Sequence, residues 1–205
     1  MYTLYGTPGS ASTAAHCMLE EVGAEYEFVE VDISGDTRDP AYLKLNPHGR
    51  VPTLLVDGKP MFECAAICAF LADRHPQAGL APAADAPERA SYMQWMVYLT
   101  NTVQELMLQM FYPERCTSHA DEAPHIAEKA RERFDAAFDV VEKALKAGGP
   151  FLLGAKASAA DIYLSMLAGW HPDPDAFAKR CPAIAAMRKK LAERPAMARA
   201  LAVNS

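Results

Sequence analysis

Residues 75–87 read HPQAGLAPAADAP, and the sequence changes character across them. Upstream, short β-branched and aromatic runs alternate with segments whose apolar residues recur at helical spacing. Downstream, every periodic segment is helical. Three prolines and little periodicity are linker composition. The chain therefore divides into residues 1–76, a linker over 77–87, and residues 88–205. Strands and helices followed by helices alone predict a small α/β domain, helices packed on a mixed sheet, and then an all-helical bundle.

In the first part, Tyr2–Tyr5 reads as a strand, and residues 10–22 read as a helix with Ala15, Met18, Leu19 and Val22 at helical spacing and Gly23 as its stop. Tyr26–Val31 reads as a second strand. A turn-prone stretch with Gly35, Asp36, Asp39 and Pro40 leads to a short helix over Ala41–Leu45. Val51–Val56 and Lys59–Phe62 are strands joined by Asp57-Gly58, a strong hairpin signal, and Cys64–Arg74 is helical. In the second part, helices are expected from Glu88 to about Tyr112, over His125–Ala147, and at 159–169, 183–193 and 195–202.

The 205 residues are 51% apolar and 22% charged, which suits a folded globular chain rather than a disordered one. A net charge of −6 and the absence of a basic stretch argue against a nucleic-acid partner. No apolar run approaches the length of a membrane span, and no signal peptide is evident, so a cytoplasmic protein is expected. The odd number of cysteines (Cys17, Cys64, Cys68, Cys116 and Cys181), with no Cys-x-x-Cys pair, reads as free thiols. The histidines are scattered without i, i+4 pairing, and no metal site is expected.

Five segments carry chemistry or its structural counterpart. In YGTPGSASTAAH (5–16), hydroxyls cluster at a strand-to-helix junction, where they read both as helix caps and as donors aimed at an anion. In VPTLLVDG (51–58), a proline before a buried strand must stand at its first residue. A cis Val51–Pro52 bond there would leave the Val51 backbone free to pair with an extended ligand. Glu63 and Cys64 open an apolar helix: this is either an acidic residue suited to the dipole or a helix start that holds a carboxylate, with Glu63 holding an ammonium. Ser158 and Asp161 have capping-box spacing and read as the start of a buried helix. The Met-rich helix (Met93, Met96, Met107, Met110) reads first as core, although methionine suits a surface that accepts varied apolar ligands.

NPHGRVPTL at 46–54, ECAAICAFLADR at 63–74, the linker near residue 80 and SAADIYL at 158–164, in this order and spacing, resemble the cytosolic glutathione S-transferase superfamily over essentially the whole chain. The resemblance implies a thioredoxin-like N-terminal domain, a helical-bundle C-terminal domain, a cis Pro52, glutathione as co-substrate and a homodimer. It implies that Val51 pairs through its backbone with the cysteinyl part of glutathione and that Arg50 contacts the glycine end, with His48 and Arg38 nearby. Glu63 and Cys64 would hold the γ-glutamyl end, Cys64 standing where Ser or Thr is usual. YGTPGSASTAA resembles a phi- or theta-like pattern that makes Ser10 the catalytic hydroxyl. It also resembles a beta pattern in which Ala11 replaces the catalytic cysteine, Ser12 follows it, and Gln104 falls near the place of a histidine.

With Ser10 first and Ser12 second as donor to the glutathione sulfur, the expected function is a transferase that activates the thiol as a thiolate for attack on a small apolar electrophile. The Met-rich start of the helical domain would supply the electrophile pocket. A glutathione-dependent peroxidase, isomerase or dehalogenase on the same scaffold, and a non-catalytic glutathione-binding homologue, are the alternatives. No metal, nucleic acid or membrane enters any of these readings.

Overall fold

A computed structural model describes residues 1–35 and 38–204. Asp36 of the expected turn lies outside the described residues. The chain forms two compact units, Met1–Ala86 with Arg188–Ser205, and Pro87–Met187.

In the first unit, β1 (Tyr2–Gly6), α1 (Ser12–Val22), β2 (Tyr26–Glu30), α2 (Pro40–Leu43), β3 (Thr53–Val56), β4 (Lys59–Phe62) and α3 (Cys64–Arg74) follow in order. The sheet order is β2-β1-β3-β4. β1 runs parallel to β2 and antiparallel to β3, and β3 is antiparallel to β4. The period-2 alternation of β1 buries Tyr2 and Leu4, and Leu54 joins them under Ala14, Met18 and Leu19 of α1 and Ile67 and Leu71 of α3. Local chemistry sets the ends. Gly23 stops α1 in the left-handed conformation, φ 67°. Asp57 and Gly58 both take positive φ, 51° and 76°, as a tight hairpin turn between twisted strands requires.

The C-terminal residues, assigned on sequence to the helical part, also belong to this unit. α10 (Pro195–Asn204) packs on α1, and side-chain contacts at and just before this helix fasten it. Arg194 pairs with Glu21, Arg199 Nε with Glu20 at 2.7 Å, and the Asn204 amide with His16. Apolar burial of Met197 and Ala200, rather than any local signal, decides this docking.

The second unit holds α4 (Arg89–Tyr98), a π-helical turn over Leu99–Gln104, α5 (Glu105–Phe111), α6 (Ala123–Gly148), α7 (Ala159–Gly169), α8 (Pro174–Arg180) and the first half of α9 (Pro182–Ala192). The single helix expected over 88–112 is thus interrupted by a π turn, at which Tyr163 Oη donates to the side-chain Oε1 of Gln104 and Thr100 Oγ1 donates to Tyr163 Oη at 3.4 Å. α8 has no counterpart in the sequence-derived elements. It starts at Pro174, with the Asp173 side chain accepting from Ala176 N at 2.9 Å. The Ser158–Asp161 capping box forms. Asp161 is fully buried and accepts from Ser158 N (2.8 Å), Ser158 Oγ (2.7 Å) and Leu152 N (2.8 Å). Met96 and Met107 are core, whereas Met93 is 46% exposed.

Candidate functional site

The sheet register gathers the candidate residues at one end of the first unit. Tyr5 of β1 pairs with Thr53 of β3, and Thr53 pairs with Phe62 of β4. The exit of β1, the entry of β3 and the exit of β4 therefore lie side by side. They lead respectively to the Ser10 loop, from the Val51–Pro52 loop, and into Glu63 and Cys64. The exit of β2 joins them, because Gly6 pairs with Glu30 and Thr7 Oγ1 donates to Val31 O at 2.5 Å.

The first loop is a turn over Thr7–Ser10, closed by Ser10 N donating to Thr7 O at 3.2 Å, with Gly9 at φ 70°. Proline at the second position and a positive-φ glycine at the third are the chemistry of a type II turn. α1 then starts at Ser12 with Ala11 as its N-cap, so no hydroxyl of the cluster caps it from that position. Ser10 Oγ instead accepts from Ser12 N at 3.2 Å, relieving one orphan donor.

The two serines are not equivalent. Ser12 is fully buried; its Oγ accepts from Thr7 N at 3.0 Å and donates to Thr7 O at 2.9 Å. Gly6 is required beside it, because a Cβ there would stand 2.7 Å from Ser12 Oγ. Ser10 is half-buried, and its Oγ donates to Thr7 O at 2.6 Å and lies 2.9 Å from Ser12 Oγ. Thr7 O thus faces three donors, Ser10 N and both hydroxyls, with two lone pairs to offer.

The second loop contains the cis Val51–Pro52 bond that the resemblance implies. Arg50 and His48 are exposed, and the His48 ring meets Phe62 edge-on at 5.9 Å. Arg38 has a different setting. Its Nε donates to Gly49 O at 2.9 Å and its Nη1 to Gly35 O at 2.7 Å, so the guanidinium ties the loop after β2 to the loop before β3. Beneath the second loop lie three buried residues that sequence reasoning did not single out, Tyr42, Asn46 and Thr53. Asn46-Pro47 is a turn signal that could have drawn attention to the loop. Nothing local marks Tyr42 or Thr53. Burial pushes the Tyr42 hydroxyl above its usual range, so it stays a neutral donor.

The third segment places exposed Glu63 at φ 74°, ψ 106°, a conformation rare for a residue with a Cβ, directly before α3. Cys64 follows as the buried first residue of that helix. The Cys68 thiol, hydrogen-bonded to Cys64 and fully buried, is held well above the usual thiol range, and burial raises Cys17 to about 12. Neither is a nucleophile at neutral pH. All five cysteines are free. Among the described residues no cluster of His, Cys, Asp or Glu could hold a metal ion, and no helix is long and apolar enough to cross a membrane.

A mixed β2-β1-β3-β4 sheet with a cis-proline before its third strand, followed in the chain by a helical unit, is the architecture of thioredoxin-like proteins carrying a helical C-terminal domain. Residues 1–73 match the glutathione S-transferase N-terminal domain, and residues 101–203 match the glutathione S-transferase C-terminal domain. The glutathione S-transferase GstA of Escherichia coli O157:H7 is 28% identical over 98% of this chain and 98% of its own. Among solved structures, a glutathione transferase homologue from Sulfitobacter with bound glutathione is 30% identical with a TM-score of 0.85, covering 97% of this chain and 96% of its own. A sphingomonad glutathione S-transferase complexed with glutathione is 32% identical with a TM-score of 0.82, covering 98% of both chains. The chain belongs to the glutathione S-transferase family and is a glutathione transferase.

Proposed function

We propose that the end of the sheet binds glutathione and that Ser10 activates its thiol. Two relatives of similar fold carry glutathione, and the site offers a matching set of groups. Val51 presents a backbone edge for the cysteinyl residue. The exposed Arg50 and His48 stand ready for the glycine carboxylate, with Arg38 bracing the loop that carries them. Glu63 offers a carboxylate for the γ-glutamyl ammonium, and the start of α3 at Cys64 offers backbone N–H groups for its carboxylate. A thiol donates weakly, so at Cys64 the backbone carries the contact.

The observation that carries the choice of Ser10 is the crowding at Thr7 O. If Ser10 turns its proton to a ligand sulfur, Thr7 O keeps Ser12 Oγ and Ser10 N, and nothing is left unpaired. If Ser12 does so, a fully buried hydroxyl must leave its place. A free thiol of pKa about 8.5 is only a few per cent ionised at neutral pH. A hydrogen bond to a charged group is worth about 1.5–3 kcal/mol, which lowers that pKa by about one to two units. The N-terminal end of α1 adds a smaller favourable field. The thiolate then attacks a small apolar electrophile. In this division of labour residues 1–76 bind glutathione and the helical unit Pro87–Met187 receives the electrophile, for which Met93, Val97 and Phe111 supply exposed apolar surface. The protein works as a homodimer, and its free thiols suit a reducing cytoplasm.

The test is conjugation of glutathione to an aryl halide. Ser10→Ala lowers the rate at pH 7 about ten- to a hundredfold and moves the pH–rate profile to the alkaline side. Ser12→Ala instead lowers thermal stability. Full rate and an unmoved profile in Ser10→Ala would remove the assignment.

A further inference from the structure

We infer that Tyr42, Asn46 and Thr53 are positioning residues for the glutathione backbone, acting through the carbonyl of Arg50; the inference rests on the glutathione reading above. Tyr42 Oη donates to Arg50 O at 2.6 Å and Asn46 Nδ2 donates to the same atom at 2.8 Å. Thr53 Oγ1 closes the set, accepting from Asn46 Nδ2 at 3.2 Å and lying 2.9 Å from Tyr42 Oη. The protons balance. Asn46 gives one to Arg50 and one to Thr53, Thr53 gives its own to Tyr42, and Tyr42 gives its own to Arg50. Asn46 Oδ1 accepts from His48 N at 3.1 Å. The three residues are 5%, 2% and 0% exposed. A satisfied network at that depth holds its geometry firmly.

Its consequence falls on Val51. The Arg50–Val51 peptide is trans, so the Arg50 carbonyl and the Val51 N–H are opposite ends of one plane and point in opposite directions. With both lone pairs of Arg50 O drawn inward onto Tyr42 and Asn46, the Val51 N–H is turned outward. Neither backbone polar group of Val51 has a hydrogen-bond partner among the described residues. Val51 is half-buried, immediately before the entry of β3 and beside the Ser10 loop. An extended peptide of the glutathione kind, pairing antiparallel with this edge, needs that N–H held in one direction. The buried trio supplies the hold without touching the ligand.

The experiment measures titration of S-methylglutathione by calorimetry, beside KM and kcat for glutathione with an aryl halide, in wild type, Tyr42→Phe, Asn46→Asp and Thr53→Ser. Tyr42→Phe raises the Kd and the KM for glutathione about fivefold, the equivalent of one ordinary hydrogen bond, with kcat at saturation changed by less than about twofold. Asn46→Asp, which sets an oxygen against Arg50 O, raises both further. Thr53→Ser keeps the hydroxyl and retains wild-type affinity. Melting curves accompany each variant. A lowered Tm with Kd and KM unmoved in Tyr42→Phe and Asn46→Asp would show a purely structural role and overturn the inference while leaving the glutathione reading intact. Failure of the wild type itself to bind S-methylglutathione would overturn that reading, and the inference with it.

Discussion

The side-chain amide of Asn204 donates to Nδ1 of His16 at 2.9 Å, joining the last turn of α10 to the first half of α1. Asn204 also donates to Ala200 O at 2.7 Å and accepts from Thr13 Oγ1 at 3.1 Å, which fixes its amide orientation. With Nδ1 accepting, the His16 proton sits on Nε2 and is donated to Tyr26 Oη at 2.7 Å. Tyr26 in turn donates to Glu20, the partner of Arg199. This chain is complete only for a neutral imidazole.

Burial lowers the His16 pKa below its usual 6.5, opposed by the nearby Glu20 carboxylate. Below pH 6.5 the unfolded chain binds a proton that the folded chain resists. The His16 contribution to stability is therefore full above 6.5 and is lost as pH falls towards the lowered folded value. Melting curves from neutral to mildly acidic pH should fall more steeply for wild type than for His16→Gln. Parallel curves would remove His16 from the account.

Gly6→Ala should disturb the Ser10 loop from below. The new Cβ meets Ser12 Cβ and Oγ at 2.7 Å and Phe28 at 3.0 Å. Overpacking of this kind costs about 1–3 kcal/mol. Denaturant titration reads the loss, and the rate of glutathione conjugation falls with it because Ser12 shares its hydrogen bonds with Ser10.

Asp161→Ala should be among the most damaging single changes in the helical unit. It strips three donors, Ser158 N, Ser158 Oγ and Leu152 N, of one fully buried acceptor group. Unsatisfied buried partners cost about 1–3 kcal/mol each group, so the total exceeds the cost of about 1 kcal/mol for removing an ordinary cap. Urea unfolding of Asp161→Ala beside Ser158→Ala gives the comparison; equal losses would contradict it.

Glu63→Gly should separate stability from binding. Backbone in this region costs a residue with a Cβ about 1–3 kcal/mol, and the added chain entropy of glycine takes back about 0.5–1 kcal/mol. The variant should be about 1 kcal/mol more stable, yet bind glutathione more weakly for lack of the carboxylate. A lower Tm, or an unchanged glutathione KM, would count against the role given to Glu63.

Much of the local structure was legible because neighbours in sequence set it. Gly23 ends α1, Asp57-Gly58 turns the β3–β4 hairpin, and Ser158 with Asp161 starts α7, each through groups a few residues apart. The α8 helix has no counterpart among the expected elements, although proline at the first helical position behind an Asp cap favours a start there. The π turn at Leu99–Gln104 escaped because its partners come from α7, some sixty residues away by the Tyr163–Gln104 separation of 59.

Sequence alone determined the alternation of strands and helices, the family resemblance and the short list of candidate residues. Periodicity, capping and turn chemistry act over a few residues and leave their marks in the order of the side chains. Only the tertiary structure decided that Ser12 is buried while Ser10 stays half-buried, that α10 docks on α1, and that Tyr42, Asn46 and Thr53 converge on Arg50 O. Those outcomes depend on burial and on hydrogen-bond partners brought together by sheet register and helix packing. No local pattern encodes a carbonyl whose two lone pairs face three donors, or a carbonyl held from below.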